Sequence, residues 1–309
     1  MNGRARSARF FILTLVGASL AALLMGSIPN GKRLRWTGCG ITRKAFMIEA
    51  ARAYLGKTGT VITLSGGGAT KGIRDPNKGF ADLGGSCRPA LTTRFPKEEG
   101  DVYMTLVAWD ALVPIVNASN PASDLTRAQL RDIFLGRITN WKEVGGDDRP
   151  IVVVARAGKI SGVGYMTRKI LFNDPEVEYT SSAIFLASSG PVEKRVMNDP
   201  QAIAITGISS AQKMLREGKP IKVLSLDGLR ADVASISSGA YFAFRPLYLM
   251  TKGAPTGLRK EFLDWLTSDE GQEVVERAGT VSLRQGKGLK EKFRYWENTD
   301  RILNFASLP

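Results

Sequence analysis

The chain has 309 residues, with 43 Lys and Arg against 29 Asp and Glu, a net charge of +14, and no histidine. The absence of histidine excludes Ser-His-Asp and Cys-His catalytic systems and His-ligated zinc or iron sites. Positive charge can attract nucleic acid or anionic polymers. Here the basic residues are interleaved with acidic ones and form no long basic run, so we expect a solvated basic surface and no nucleic-acid partner.

Residues 1–27 have the pattern of an export signal. Arg4, Arg6 and Arg9 precede the apolar run Phe10–Met25. This run is short for a membrane span and suits the core of a signal peptide. No clean cleavage site follows, so a cleaved signal peptide and an uncleaved N-terminal anchor both stay open. Either segment predicts an exported protein, in the periplasm or on the outer face of the cytoplasmic membrane.

The first part of the chain repeats a strand, loop and helix unit. "RLRWTGCGIT" predicts a strand and a glycine-rich turn, and "RKAFMIEAARAYLG" predicts a helix that ends before Gly56. "GTVITLSGGGATKGI" predicts a second strand, a glycine loop and a helix that starts near Thr70 and is kept short by Pro76. "FADLGG" predicts a third strand, whose following loop carries Cys87.

Strands that alternate with helices predict a parallel or mixed α/β sheet with covered faces. Ligands of such sheets bind beyond the carboxyl ends of the strands. Three loops occupy those ends, so we expect them to converge on one rim of the sheet. The loops are Thr37–Thr42, Ser65–Lys71 and Gly84–Arg88.

A second unit begins in "VAWDALVPIVNASNP", which predicts a strand that passes from the first unit into the second. In "TRAQLRDIFLG", Thr126 and Gln129 predict a capping box and Gly136 the helix end. "YFAFRPLYLMTKG" predicts a second crossing strand, and Ser268 is the expected cap of the second helix in "GLRKEFLDWLTSDEGQEVVERAG". The aromatic tail after Arg284 yields no placement.

Enzyme motifs are weak. Gly56-Lys57-Thr58 is not the end of a P-loop, because Ala51 stands where that motif needs a glycine. "GKISGVGY" lacks the spacing of a hydrolase elbow, and only Lys159 near Ser161 keeps a Ser-Lys hydrolase as a distant third reading. We therefore expect no enzyme activity, no metal and no cofactor.

The glycine loops favour an anion. Loops at helix N-termini present unpaired backbone N–H groups and the positive end of the helix dipole, which suits a tetrahedral oxyanion. Thr42, Thr70, Ser161 and Arg156 would add hydroxyl and guanidinium donors. Each feature alone is common, because glycine loops often only make turns, but three such loops together with an arginine indicate an anion site.

Long segments of this sequence resemble one family. They are "LVPIVNASNPASDLTRAQLRDIFLGRITNWKEVGG", "SSGAYFAFRPLYLMTKG" and "FLDWLTSDEGQEVVERAGTVSL". These are similar in order, residue type and spacing to the periplasmic phosphate-binding subunits of phosphate ABC importers. The resemblance covers almost everything after the signal. It implies the α/β type II periplasmic binding protein fold, in which two α/β lobes with mixed sheets are joined by two crossing strands, here Ala108–Val116 and Ser237–Leu247.

The resemblance also implies the domain boundaries. We expect a signal peptide or anchor at 1–27, a discontinuous lobe one at 33–112 plus 240–287, lobe two at 113–239, and a C-terminal tail at 288–309.

The family's phosphate loops imply the ligand residues of the first lobe. "TGCGIT" resembles the first loop and places the Thr42 hydroxyl and the Arg43 backbone N–H at the ligand. In "SGGGATKGI", Ala69 stands at the family's Ser position, and Thr70 would supply a hydroxyl one residue later. In "ADLGGSCRP", Cys87 stands where members carry Ser or Asp.

The second lobe is expected to supply the charge. "ARAGKISGVGY" is similar to the family's Arg-loop, with Arg156 as the anion clamp and Ser161-Gly162 as the cradle. The loop is one residue longer than usual, and Val163 replaces the usual Thr. These departures lie in the pocket, so phosphate, another oxyanion and loss of binding all stay open.

Cys39 and Cys87 are the two cysteines of the chain. In an exported protein the default expectation is one disulfide. The resemblance places both residues on loops after neighbouring strands, which favours a Cys39–Cys87 bridge. The alternative is two partly buried thiols that act as small apolar residues.

The expected function is that of an exported, monomeric binding protein. It would capture phosphate or a related tetrahedral oxyanion between two lobes that close by a hinge motion, and deliver it to a membrane ABC permease. The alternative is an exported sensor or adhesion module on the same scaffold with a weak or vestigial anion pocket.

Overall fold

The computed structural model describes residues 32–297, with side chains as far as Phe293. The expected export segment at 1–27 and the end of the tail at 298–309 lie outside the described residues. Within the described range, no helix is long and apolar enough to cross a membrane.

The strands position the loops of the site. In chain order they are β1 Arg33–Gly38, β2 Val61–Gly66, β3 Leu83–Ser86, β4 Val102–Asn117, β5 Asp124–Leu125, β6 Val152–Arg156, β7 Ile184–Leu186, β8 Ala202–Gly207, β9 Ile221–Val223, β10 Ser225–Leu226, β11 Phe244–Lys252 and β12 Val281–Ser282.

The helices cover the faces of the sheet. They are α1 Gly40–Thr42, α2 Ile48–Thr58, α3 Gly68–Asn77, α4 Pro96–Glu99, α5 Arg127–Leu135, α6 Gly162–Thr167, α7 Ser189–Asn198, α8 Ile208–Arg216, α9 Val233–Ser237, α10 Gly257–Thr267, α11 Asp269–Arg277 and α12 Leu289–Glu297. Segments of π-helix join α1 to α2 (Arg43–Met47) and extend α6 (Arg168–Phe172), and a 3-10 turn covers Trp141–Val144.

One mixed sheet organises the described residues, with the strand order β2-β1-β3-β11-β4-β8-β6-β7. Strands β1, β2 and β3 are parallel, and β11 runs antiparallel to β3 and β4. Beyond β4, strand β8 is antiparallel to β4 and parallel to β6. We call β1 to β3, β11, β12 and the first part of β4 the first half-sheet. The second half-sheet is β6 to β9 with the last part of β4.

Strand β4 belongs to both half-sheets. Its first part pairs with β11 and β12, and its last part, Leu112–Asn117, pairs with β8 and β9. The first expected crossing strand, Ala108–Val116, lies inside β4. The second was expected from Ser237, but β11 starts only at Phe244. The chain turns at Gly239 (φ 75°) before it reaches β11, so the first residues of that predicted strand are not extended.

Local signals placed most elements correctly. Thr126 and Gln129 form the expected capping box of α5, and Gly136 ends that helix in the left-handed conformation. Helix α2, however, continues past Gly56 and ends at Gly59, whose φ of 71° favours glycine. Ser268 does occupy the N-cap position of α11, but its hydroxyl donates back to the carbonyl of Trp265 at 2.7 Å and caps nothing.

The tail that yielded no placement contributes to the core. Leu289 and Phe293 of α12 are buried. The ring of Phe293 lies 6.1 Å from that of Trp109 and 6.5 Å from that of Phe244, centroid to centroid. Aromatic burial of this kind anchors a helix because each ring removes a large apolar area from water. Residues 289–293 are therefore integral to the first half-sheet's packing.

Close backbone contact between α3 and β3 sets the position of the second glycine loop. A Cβ added at Gly84 would lie 1.6 Å from the carbonyl oxygen of Gly72, and a Cβ at Gly72 would lie 2.2 Å from the carbonyl oxygen of Gly85. Only glycine allows this approach, since the obstructing atoms are backbone and cannot rotate away. The glycines thus bring the start of α3 against the end of β3.

We expect Gly84→Ala to lower the free energy of unfolding by about 3 kcal/mol, because the added methyl forces α3 away from the sheet. Gly56→Ala is the matched control: it lies inside α2, where a Cβ meets nothing within 4 Å. This control should gain about 0.5–1 kcal/mol through helix propensity. Urea denaturation measures both, and equal stability of the two variants would contradict the contact argument.

Candidate functional site

The polar groups of the loop between β1 and α1 are hydrogen-bonded within the loop. Cys39 is the N-cap of α1, and its Sγ accepts a hydrogen bond from the backbone N–H of Thr42 at 3.3 Å. The Thr42 hydroxyl is buried, lies 2.8 Å from that sulphur, and donates to the Cys39 carbonyl at 3.1 Å. The N–H of Arg43 also donates to this carbonyl, at 3.1 Å. Both groups that the sequence assigned to the ligand thus have partners within the loop.

Cys39 and Cys87 are buried free thiols, not the expected disulfide. Burial opposes the ionisation of Cys39, but hydrogen bonds from Cys87 and Thr42 and the charge of Arg245 outweigh it and lower its pKa to about 6. The hydrogen bond from Cys39, with burial, raises the pKa of Cys87. Of the two sulphurs, Cys39 is therefore the one whose thiolate form the surroundings favour.

The first and second half-sheets meet at Cys87. A Cβ added at Gly162, the first residue of α6, would lie 2.4 Å from the Cys87 sulphur and 2.8 Å from the Cβ of Ala69. Glycine is thus the only residue type that fits at position 162, between Cys87 and Ala69. Three residues that the sequence assigned to the ligand, from three different loops, are brought into contact.

Arg156 ends β6 and reaches the glycine loop of the other half-sheet. Its Nη1 donates to the carbonyl of Leu186 at 2.8 Å, and its Nη2 lies 3.8 Å from the position of a Cβ on Gly68. Burial lowers the pKa of Arg156, and the charges of Cys87 and Cys39 oppose that shift. The guanidinium therefore lies in the electrostatic field of the cysteine pair, at the N-terminus of α3.

The Thr70 hydroxyl forms a direct contact between the half-sheets. It donates to the carbonyl of Ile160 at 3.1 Å, and the Nε of Arg88 donates to the same carbonyl at 2.8 Å. Arg88 is fully buried and paired with the equally buried Glu99 at 2.9 Å. Burial opposes ionisation of Glu99, yet hydrogen bonds from Arg88 lower its pKa. We call the bonds of Thr70 and Arg88 to Ile160 the Ile160 clasp.

Ser161 and Val163 line the start of α6. The Ser161 hydroxyl oxygen accepts from the N–H of Gly164 at 3.2 Å, which makes Ser161 the N-cap, and Val163 is buried without a polar side-chain group. Lys159 donates to the carbonyl of Glu176 at 2.7 Å, and its hydrogen bond with Glu178 raises its pKa. A lysine base needs a lowered pKa, so this geometry does not activate Ser161.

A buried ion pair lies beneath the cysteine pair. The Nε and Nη2 of Arg245 donate to one oxygen of Asp110 at 3.1 and 2.8 Å, and both side chains are fully buried. The other oxygen of Asp110 accepts from the N–H and hydroxyl of Ser209 at 3.1 and 2.6 Å, at the start of α8. The Nη1 of Arg245 has no hydrogen-bond partner among the residues that the structure describes.

Sequence reasoning missed Arg88, Asp110 and Arg245. The signal for the last two was present, since Asp110 is the one charge in "VAWDALVPIV" and Arg245 the one charge in "YFAFRPLYLM". A lone charge in an apolar strand needs a partner of opposite sign, and these two face each other in the β4–β11 register. In the described part of the chain, no cluster of three or more Cys, Asp or Glu side chains could hold a metal ion.

Comparison with known proteins gives a consistent result. A family model described as a PBP superfamily domain matches residues 40–270. The phosphate-binding protein PstS of Bacillus subtilis is 31% identical over 218 residues, which is 69% of this chain and 68% of that protein.

Two solved structures agree with this relative. One is a putative phosphate ABC transporter substrate-binding protein with bound phosphate from Clostridium perfringens, at 27% identity and a TM-score of 0.73, covering 81% of this chain and 99% of that one. The other is an ABC-type phosphate transport receptor from Vibrio cholerae, at 26% identity and a TM-score of 0.61, covering 80% and 99%.

The strand order, the strand shared by two half-sheets and these similarities agree with the fold that the sequence predicted. The protein has the type II periplasmic binding protein fold and belongs to the PBP superfamily, within its PstS-like group of phosphate-binding proteins.

Proposed function

We propose that this protein is an extracytoplasmic solute-binding protein. It captures phosphate, or a related tetrahedral oxyanion, between its two lobes and delivers it to a membrane ABC importer. Lobe one comprises residues 33–112 plus 240–287 and lobe two residues 113–239, and the lobes move about the strands that connect them. The relative from Bacillus subtilis carries the name of a phosphate-binding protein, and the Clostridium perfringens structure contains bound phosphate.

One observation carries the proposal: the Arg156 guanidinium of lobe two lies beside the N-terminus of α3 and in the field of Cys39 and Cys87 of lobe one. A guanidinium and the backbone N–H groups at helix starts are the donors that a tetrahedral anion takes. The ligand residues are Thr42, Arg43, Ala69, Thr70, Cys87, Arg156, Ser161, Gly162 and Val163. Several of them contribute backbone or shape, since Ala69 and Val163 have no hydroxyl.

The cysteine pair gives this site an acceptor. A neutral thiol at Cys87 would accept hydrogen bonds weakly, but the negative charge on Cys39 makes the pair a better acceptor. Phosphate carries a proton at neutral pH that it can donate, whereas sulfate has none. The pair therefore favours phosphate over sulfate, while its charge opposes tight binding of any anion.

Titration calorimetry of the purified full chain, stripped of phosphate, tests the function. We expect saturable binding of inorganic phosphate and at least about ten-fold weaker binding of sulfate, because a stranded acceptor costs about 1–3 kcal/mol. The absence of heat with phosphate, from protein whose circular dichroism shows it folded, would overturn the proposed function.

Arg156→Gln should weaken phosphate binding by about ten- to hundred-fold, because a charge-assisted hydrogen bond is lost. Arg149→Gln is the matched control: it removes the same charge from lobe two at an exposed position, where Arg149 lies 3.9 Å from Asp147. The control should keep its affinity within about two-fold at physiological salt, where exposed charges are screened. Equal loss in both variants would indicate a general charge effect and contradict the clamp.

The ionisation of Cys39 can be observed directly. Thiolate absorbance in the far ultraviolet should rise with a midpoint near pH 6, the pKa at which Cys39 loses its proton. Cys87→Ala removes the hydrogen bond that stabilises this thiolate and should move the midpoint upward, toward the ordinary thiol range of roughly 8.5. An unchanged midpoint in that variant would show that Cys87 does not stabilise the Cys39 thiolate.

A further inference from the structure

Arg245 carries a donor that its own protein partners do not use. The side chain is fully buried, and Asp110 binds the edge formed by Nε and Nη2. The other end of the guanidinium, Nη1, is buried and has no hydrogen-bond partner among residues 32–297. A buried charged donor without a partner is costly and therefore rare, which indicates that a further group binds there.

The strand register places Arg245 at the ligand loops. Strand β11 is antiparallel to β3, with Tyr248 opposite Ser86. Arg245 comes three residues earlier in β11, so it lies beyond the carboxyl end of β3, where the chain continues into Cys87. This is the edge of the sheet at which the anion loops converge.

The junction of the half-sheets also passes through this guanidinium. A Cβ added at Gly207, the residue before α8, would lie 2.9 Å from the Nη2 of Arg245 and 2.9 Å from the side chain of Ile41. Ile41 precedes Thr42 in the first ligand loop. Arg245 is therefore packed between a loop of the first half-sheet and the end of β8 in the second.

Electrostatics agree with this placement. Burial opposes the charge of Arg245, but the charges of Cys87 and Asp110 outweigh it and raise its pKa. Arg245 thus stays cationic while it is buried beside the cysteine pair. Because Asp110 binds the opposite edge, the donor capacity left for a ligand is that of Nη1.

We propose that Arg245 is a further ligand-binding residue of the anion site, where its Nη1 donates a hydrogen bond to the bound oxyanion beneath Cys39 and Cys87. This inference rests on the proposed function, because it assigns a second guanidinium to the same site. Arg156 approaches the anion from lobe two, and Arg245 approaches it from the strands that join the lobes. One oxygen of Asp110 accepts from Nε and Nη2 and holds the Arg245 guanidinium in one orientation. The amide oxygen of asparagine accepts the same hydrogen bonds, so Asp110→Asn keeps the donor positioned.

A purely structural role for the ion pair makes a different prediction. If Arg245 only balances Asp110, then removing either partner should damage phosphate binding equally, because each leaves an unpaired buried charge. If Nη1 binds the anion, the two variants differ. Arg245→Lys removes the guanidinium and with it the Nη1 donor, whereas Asp110→Asn keeps the guanidinium and removes a negative charge beside it.

The experiment compares inorganic phosphate binding by calorimetry in the full-chain protein and three variants. We expect Arg245→Lys to bind phosphate about ten-fold or more weakly, and Asp110→Asn to bind it as tightly as the unmodified protein or more tightly. Arg74→Lys is the matched control, since Arg74 also has a buried nitrogen without a described partner but pairs with Glu99 and lies over Phe95. Its affinity should stay within about two-fold.

The outcomes separate the two proposals. If the unmodified protein binds no phosphate, the proposed function and this inference both fail. If it binds phosphate and Arg245→Lys binds equally well, only this inference is overturned. If Arg245→Lys does not fold, Asp110→Asn decides: retained or increased affinity supports the direct contact, and a loss of about ten-fold assigns the pair a structural role.

Discussion

The arrangement of the whole protein depends on the place where β4 passes from one half-sheet to the other, and on the buried ion pair at that place. Asp110 lies one residue before the point on β4, between Ala111 and Leu112, where its partner changes from β11 to β8. There it receives hydrogen bonds from Arg245 of β11 and Ser209 of α8. One carboxylate thus satisfies donors from both halves. A buried ion pair is stabilised when further hydrogen bonds satisfy its polar groups, as Ser209 does here for Asp110.

The anion site shows how a scaffold can be retained while its donors change. Hydroxyls are absent at Ala69 and Val163, and that of Thr42 is bonded within its own loop. In the proposed site, the remaining donors are the guanidinium groups of Arg156 and Arg245 and the backbone at helix starts. The proposed acceptor there is the sulphur of Cys87. Such a site discriminates between anions by the ligand's proton and shape more than by a full set of side-chain hydroxyls.

Much of the fold could be predicted from the sequence because its signals are local. Alternation of strands and helices and the capping box at Thr126 each depend on a few neighbouring residues. The start of β11 could not be read in this way, since the apolar residues Tyr241–Ala243 just before it form a turn and not strand. The core position of α12 depends on contacts with Trp109, far away in the sequence.

Prediction of the site was also limited by contacts between residues that lie far apart in the sequence. Resemblance assigned Cys87, Ala69 and Gly162 to the ligand, and the structure places these three residues in contact. It could not show that the cysteines are free thiols, or that the Thr70 hydroxyl donates to Ile160. Those outcomes depend on small differences in the distances between elements that are remote in the chain. The ion pair of Asp110 and Arg245 could have been predicted, because each is the one charged residue of an apolar strand segment and their charges are opposite.

The Ile160 clasp has a consequence for the timing of transport. Its two hydrogen bonds join the lobes through protein atoms alone, so their free energy of about 0.5–1.5 kcal/mol each favours closure independently of any cargo. Closure that does not wait for cargo reduces the conformational penalty on capture. In the proposed transport cycle, opening at release would require Thr70 and Arg88 to separate from the carbonyl oxygen of Ile160. Anion affinity and the rate of lobe opening would then depend on different contacts, so a substitution in the Ile160 clasp could change the opening rate without changing the contacts to the anion.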